Sequence, residues 1–230
     1  NYEKAHELYS KAWSLDRQTN FTNRGINLHN LGMYHLNVTR QYDKALNFFQ
    51  EAIEIYPGHW PSYVDAAACF IRKGDLAEAG RRLVEALSLW PDNAEMRHTF
   101  GFVLLKLGKY DDAIKQSRKA LFLNQDLFNV YSILGEAYRK KGNFNMAVLN
   151  WKKYLEKNPN DLEGNLALIE LYYKTKNFDE LCRTIGKLTM LKGSAGLDTL
   201  IDQLLKDKVL LVYMPNYKLI LSIAHSHSCI

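Results

Sequence analysis

Apolar positions along this chain recur at three- and four-residue steps inside short segments, and the segments come in pairs separated by a turn. The stretch from Ala94 to Leu127 shows the unit most plainly. In its first half Phe100, Leu104 and Leu107 fall on one stripe of a helix, while Arg97, His98 and Lys106 lie off it. In its second half Ala113, Ser117 and Ala120 form the inner stripe of another helix. Gly108 stands between the two, where a helix C-terminus favours a residue that tolerates the left-handed conformation. Asp111 and Asp112 then open the second helix, favourably for its dipole. Gly101 and Ala113 are small, and small contact residues let crossing helices approach to about 8 Å rather than about 10 Å.

The pair repeats in register. Ala79, Ala113 and Ala147 are 34 residues apart each time, as are Gly74, Gly108 and Gly142 at the turns. The pattern predicts a half unit over 1–20, full helix pairs over 25–58, 60–93, 94–127, 128–161 and 162–193, and a cap and tail over 194–230. Ala5, Tyr9 and Ala12 fill the slots of Ala45, Phe49 and Ala52 with no first helix ahead of them, so the chain is expected to begin inside a unit. The turn from Asn37 to Gln41 is one residue longer than the later ones and lacks their glycine, which predicts a looser turn within an intact pair. In the fifth unit Ile169 and Leu181 replace a glycine and an alanine. Overpacking of this kind costs about 1–3 kcal/mol on a fixed backbone, so adjusted helix spacing is expected there. Beyond Gly196, Leu197, Leu200, Ile201, Leu204 and Leu205 predict a capping helix, followed by an apolar tail from Val209 to Ile223.

A 34-residue period with these residue types resembles the tetratricopeptide repeat. Leu134, Gly135, Tyr138, Gly142, Phe144, Ala147, Trp151 and Pro159 fill nearly the whole family pattern by themselves. The resemblance implies an all-α fold. It would be a right-handed α-α superhelix, a solenoid of about five complete helix-pair repeats with a preceding half repeat and a C-terminal capping helix. Because a solenoid lengthens by adding repeats rather than cores, a single domain is expected.

Composition agrees. Among 230 residues 47% are hydrophobic and 12% aromatic, while five prolines and thirteen glycines suit a helical solenoid better than an all-β fold. The net charge of +5 comes from 30 basic and 25 acidic residues spread throughout. Arg139-Lys140-Lys141 and Lys152-Lys153 have Glu136 and Glu156 close by, the pattern of a solvated face, and this argues against nucleic acid as a partner. Three cysteines are odd in number and lack metal-ligand spacing, so no disulfide framework is expected; a reducing, cytoplasmic setting is slightly favoured. The most apolar run contains Pro215, Asn216 and Lys218, so no membrane insertion by this segment is expected.

In the family the first helix of each repeat lines the concave side, which is the usual ligand surface. By register that surface would here include Met33 and Leu36, then Val64, Ile71 and Arg72, then His98, Phe102, Leu105 and Lys106. Further along it would include Glu136, Arg139 and Lys140, and then Tyr173. The earlier sets are largely apolar and the later ones charged, which predicts a protein or peptide ligand whose apolar helix or strand docks on the first three units and is oriented by charge on the last two. Two known family uses are disfavoured. The slots of the two-carboxylate clamp for chaperone tails hold His29, Met33, Val64, Ala68, His98 and Phe102, and the asparagine ladder of sugar-transferase arms has only Asn30, followed by Asp65, Thr99, Ile133 and Ala167.

Catalytic and metal chemistry find little support. No nucleophile elbow, phosphate-binding glycine loop or H-E-x-x-H is present, and His29 and His98 stand two repeats apart, on the order of 20 Å if helices pack at 8–10 Å. His225, His227 and Cys229 alternate, yet a frayed terminus explains them more simply. A non-catalytic protein–protein interaction scaffold without a cofactor is therefore expected. The alternative is an accessory arm of a larger enzyme, for example a glycosyltransferase, or of a membrane protein, whose catalytic part precedes residue 1. A third reading is homo-oligomerisation through the N-terminal half repeat or the C-terminal tail.

Overall fold

The computed structural model describes residues 2–15 and 21–191, together with Lys218 and Ser222. Among the described residues there are eleven α-helices, one π-helical turn and no strand. The expected capping helix, the terminal histidines and, apart from Lys218 and Ser222, the apolar tail lie outside them. The chain divides into two compact units, 1–124 and 125–230.

The first unit holds α1 (Tyr2–Leu15), α2 (Phe21–Tyr34), the π-helical turn His35–Thr39, α3 (Tyr42–Ile55), α4 (Trp60–Lys73), α5 (Leu76–Leu89), α6 (Ala94–Lys106) and α7 (Tyr110–Leu123). Each helix packs on the next in sequence, and α4 also approaches α6. The inner stripes read from the sequence are the core: Leu28, Phe49, Leu83, Met96 and Val103 are fully buried, with Ala45, Ala79 and Ala113 at the crossings. The second unit holds α8 (Val130–Lys140), α9 (Phe144–Lys157), α10 (Leu162–Lys174) and α11 (Phe178–Leu191), again packed in chain order. Trp151 and Leu166 are central to its core.

Close packing depends on glycine at particular crossings. A Cβ on Gly32 would lie 2.5 Å from the Phe49 ring, and one on Gly135 would lie 2.7 Å from the Trp151 indole. In the third repeat the partner is smaller: Gly101 faces the Ser117 hydroxyl, which is buried without a hydrogen-bond partner. Where Ile169 replaces the glycine, it and Leu181 are both fully buried. Large side chains thus fill the crossing of α10 and α11, where small ones stand in the earlier pairs.

The turns keep one conformation through changes of residue. Arg40, Gly74, Gly108, Gly142 and Lys176 stand 34 apart, and all have positive φ, at 56°, 84°, 75°, 76° and 57°. At Gly74 the next amide, Asp75, donates back to the Phe70 carbonyl at 2.9 Å, and Asn177 donates in the same way to Tyr172. In the first repeat the extra residue widens the last turn of α2 instead, so that Gln41 donates one residue further back, to His35 at 3.0 Å. The longer turn is therefore a π-turn rather than a loose one. Side-chain caps start the following helices: Asp75, Asn93, Asn143 and Asp161 each accept from the amide three residues on.

Cys69 is a buried free thiol pushed up to about 12, mainly by that burial, which leaves it inert. Cys182 takes part in a disulfide; a single bridge is not the framework of several that the sequence argued against.

Candidate functional site

The first helices of successive repeats place corresponding side chains at corresponding positions. In the first unit α4 presents Val64, Ala68, Ile71 and Arg72, and its neighbour α6 presents His98, Phe102, Leu105 and Lys106 in the same register. Val64, Ile71, His98, Phe102 and Leu105 are half-buried, so each keeps part of its surface in solvent. The base of Ile71 packs on the core formed by Ala67, Ala79, Leu83 and Val103, which fixes its orientation. Arg72 and Lys106 are exposed and have no carboxylate partner among the described residues. The Lys106 ammonium instead sits over the Phe102 ring, 5.3 Å from its centre.

On α2, Met33 is half-buried and packs on the cluster around Phe49. Leu36, taken from the sequence as a lining residue, is a member of that cluster and 7% exposed. The π-turn that begins at His35 carries it inward, which leaves it little surface for a partner. Other large apolar side chains are more open to solvent: Met190 on α11 is 85% exposed, Phe122 on α7 83% and Phe21 at the start of α2 73%, and Val84 and Leu89 on α5 are exposed as well.

In the second unit the corresponding positions form a closed network. Arg139 on α8 donates two hydrogen bonds to Glu136, each at 2.7 Å, and a third at 3.0 Å to Glu170 on α10. Glu170 is 1% exposed, and the Lys174 ammonium lies 3.4 Å from its other oxygen. Lys140 is exposed and lies 3.9 Å from Glu136. Hydrogen bonding to Glu136 holds the Arg139 guanidinium above its ordinary value. Tyr173 is half-buried beside this network in sequence, on α10.

The sequence did not reveal a polar joint between α2 and α4. Ser62 is fully buried, and its hydroxyl lies 2.8 Å from His59 Nδ1 and 3.3 Å from His29 Nδ1. His29 Nε2 in turn lies 3.7 Å from the Asp65 carboxylate. The two imidazoles meet edge to face at 4.7 Å. The Ser62 hydroxyl thus bridges the two imidazoles, whose tautomers set which nitrogen donates to it and which accepts from it. Burial, with His59 adding repulsion, lowers His29 to about 4, and burial raises Asp65 to about 6. A serine, a histidine and an aspartate thus meet, but the hydroxyl is inaccessible to a substrate, so the group is a structural joint. His98, in the equivalent slot on α6, has Glu95 3.9 Å away and is lowered by burial.

Among the described residues no helix is long and apolar enough to cross a membrane. No group of three or more His, Cys, Asp or Glu able to hold a metal occurs among them.

Comparison with known proteins adds to this geometry. The profile of the tetratricopeptide repeat matches residues 39–83 and 70–137. BBSome complex member BBS4 of Bos taurus is 26% identical over 151 residues, covering 66% of this chain and 26% of that protein. The anaphase-promoting complex subunit CDC16 of Saccharomyces cerevisiae is 26% identical over 159 residues, covering 66% of this chain and 19% of its own length. The chain therefore spans about a quarter or less of these curated relatives. Among solved structures, YrrB, described as a TPR protein with an unusual peptide-binding site, superposes with a TM-score of 0.61 at 18% identity, over 86% of this chain and 98% of that one. With helix pairs in a 34-residue register, turns that share a positive φ and a matching profile over residues 39–137, that stretch of the chain is built of tetratricopeptide repeats.

Proposed function

We propose that the chain is a protein-binding scaffold whose first unit holds an apolar peptide segment bearing carboxylates on the face made by α4 and α6. The observation that carries this reading is a repeated cation with no acid beside it. Arg72, Lys106, Lys140 and Lys174 share one slot, in the last turn of each first helix, where the helix carbonyls favour positive charge. Four residues earlier stand Ala68, Phe102, Glu136 and Glu170. In the second unit the glutamates pair with the lysines; in the first, alanine and phenylalanine leave the cations open and put apolar surface next to them. A partner carboxylate would supply the missing acid, while its apolar side chains cover Val64, Ile71, Phe102 and Leu105. The likeness to a structure titled as peptide-binding, and to two proteins named as members of multiprotein complexes, supports the class of function.

Because the relatives are several times longer, the same face can act as one arm of a longer polypeptide, and what that polypeptide does is a separate question. The test uses short fluorescent peptides that alternate leucine with aspartate or with lysine, measured by anisotropy against the full chain. The acidic peptide should bind and the basic one should not bind this face. Ile71→Asp combined with Phe102→Asp should lower affinity for the acidic peptide at least a hundredfold with helicity unchanged. Undiminished binding by that folded double variant would refute the proposal.

A further inference from the structure

A cavity of about 520 Å³ opens between α3 and α5. At 100° per residue its floor, Ala66 and Phe70, lies on the face of α4 opposite Val64, Ala68 and Ile71. Leu46 and Ile53 from α3 form one wall and Leu89 from α5 the other. The volume is within the range of roughly 300–1,000 Å³ usual for sites that enclose a ligand group. Leu89 is 60% exposed at the rim, a large apolar side chain with a cavity beside it and nothing over it among the described residues.

The polar groups on the two walls differ. On α5 the charges are matched: the Arg82 guanidinium donates to Glu78 at 2.8 Å and lies 3.7 Å from Glu85, which also holds Arg81. On α3, Gln50 and Glu54 are exposed and have no partner among the described residues. A carboxylate entering here would meet both Glu54 and Glu85, whereas a cation would meet an open acid.

We infer that this cavity is a second docking site, independent of the α4–α6 face, for a basic peptide segment that inserts one large apolar side chain beside Phe70 and Leu89 and pairs a flanking lysine or arginine with Glu54. The two faces of α4 then select opposite charge: open cations on one side call for an acidic partner, and an open carboxylate on the other calls for a basic one.

The test is fluorescence anisotropy of the full chain with a short labelled peptide carrying one tryptophan flanked by lysines, beside a counterpart with glutamates. The lysine peptide should bind saturably, more weakly as salt rises, and the glutamate peptide should not bind at this cavity. Glu54→Lys and Leu89→Asp both change exposed side chains, so the fold is retained, as circular dichroism would verify. Each should reduce affinity for the lysine peptide at least tenfold. Ile71→Asp with Phe102→Asp should leave it unchanged. The inference is overturned by an absence of saturable binding, by equal binding of a glutamate peptide that competes with the lysine one, or by unchanged affinity in both cavity variants. Loss of binding in the Ile71 and Phe102 variant would overturn it too, since the basic peptide would then occupy the other face.

Discussion

The two units carry the same helix pair and use one surface of it differently. On α8 and α10 the slot before the last-turn lysine holds Glu136 and Glu170, and with Arg139 these groups pair with one another at distances of 2.7–3.9 Å. On α4 and α6 the same slot holds Ala68 and Phe102, so the cations stay open and apolar surface replaces the acids. A repeat fold asks only that the inner stripe match its neighbours; the outer residues of the first helix are free to close on themselves or to await another molecule. Charge on such a face therefore points to a partner only where the chain has left it uncompensated.

The largest effect should come from opening the closed network. Glu170→Ala leaves Arg139 and Lys174 without their buried acid, and stability should fall by about 3–5 kcal/mol in denaturant unfolding. No comparable loss should follow Arg72→Ala in the first unit, where the cation is exposed; its cost should stay within about 0.5 kcal/mol. A second contrast concerns the crossings. Gly135→Ala drives a methyl into the Trp151 indole and should cost about 1–3 kcal/mol. Gly101→Ala meets only the Ser117 hydroxyl, so combining it with Ser117→Ala should recover most of its cost.

The polar joint of the first unit has no counterpart among the described residues of the second, and pH exposes it. His29 is lowered to about 4, so its contribution is present above about 6.5, its unfolded value, and is lost as pH falls toward 4. Asp65 is raised to about 6, so its contribution is present below the unfolded carboxylate value near 4 and is lost as pH rises through 6. The two slopes oppose each other between pH 4 and 6.5, and the wild type should be nearly level there. Asp65→Asn removes one of them, and the melting temperature of that variant should drop on acidification across this window. An equally level profile in the variant would show that His29 titrates normally in the fold. Smaller effects belong to the turns. Arg40→Gly and Lys176→Gly relieve side chains held at positive φ and should each stabilise by up to about 1 kcal/mol, while Gly142→Ala at the same slot should destabilise by a similar amount.

The 34-residue register, the helix pairs and the crossing glycines were legible in the sequence because each follows from neighbours along one helix and from a spacing that repeats. The left-handed turn at Arg40 and Lys176 was not, since only the fold shows a backbone conformation that outlasts the loss of glycine. The expected lining residues divided for a related reason. Val64, Ile71, Phe102 and Leu105 kept open surface; Leu36 turned into the core because a π-turn rotated it, and Arg139 was taken up by Glu136 and Glu170. The missing acids at Ala68 and Phe102 could have been read by aligning the repeats slot by slot. The joint of His29, Ser62, His59 and Asp65 and the cavity beside Phe70 could not, because they join residues from different repeats at positions that no period relates.

By itself, then, the amino-acid sequence determined the kind of repeat, the order of helices and which stripe of each is buried, since all three depend on local periodicity. Only the tertiary structure decided which charges are already satisfied, which apolar side chains remain in contact with water, and where a space is left between helices. Those depend on distances across the fold, and a one-residue change in a turn is enough to alter them.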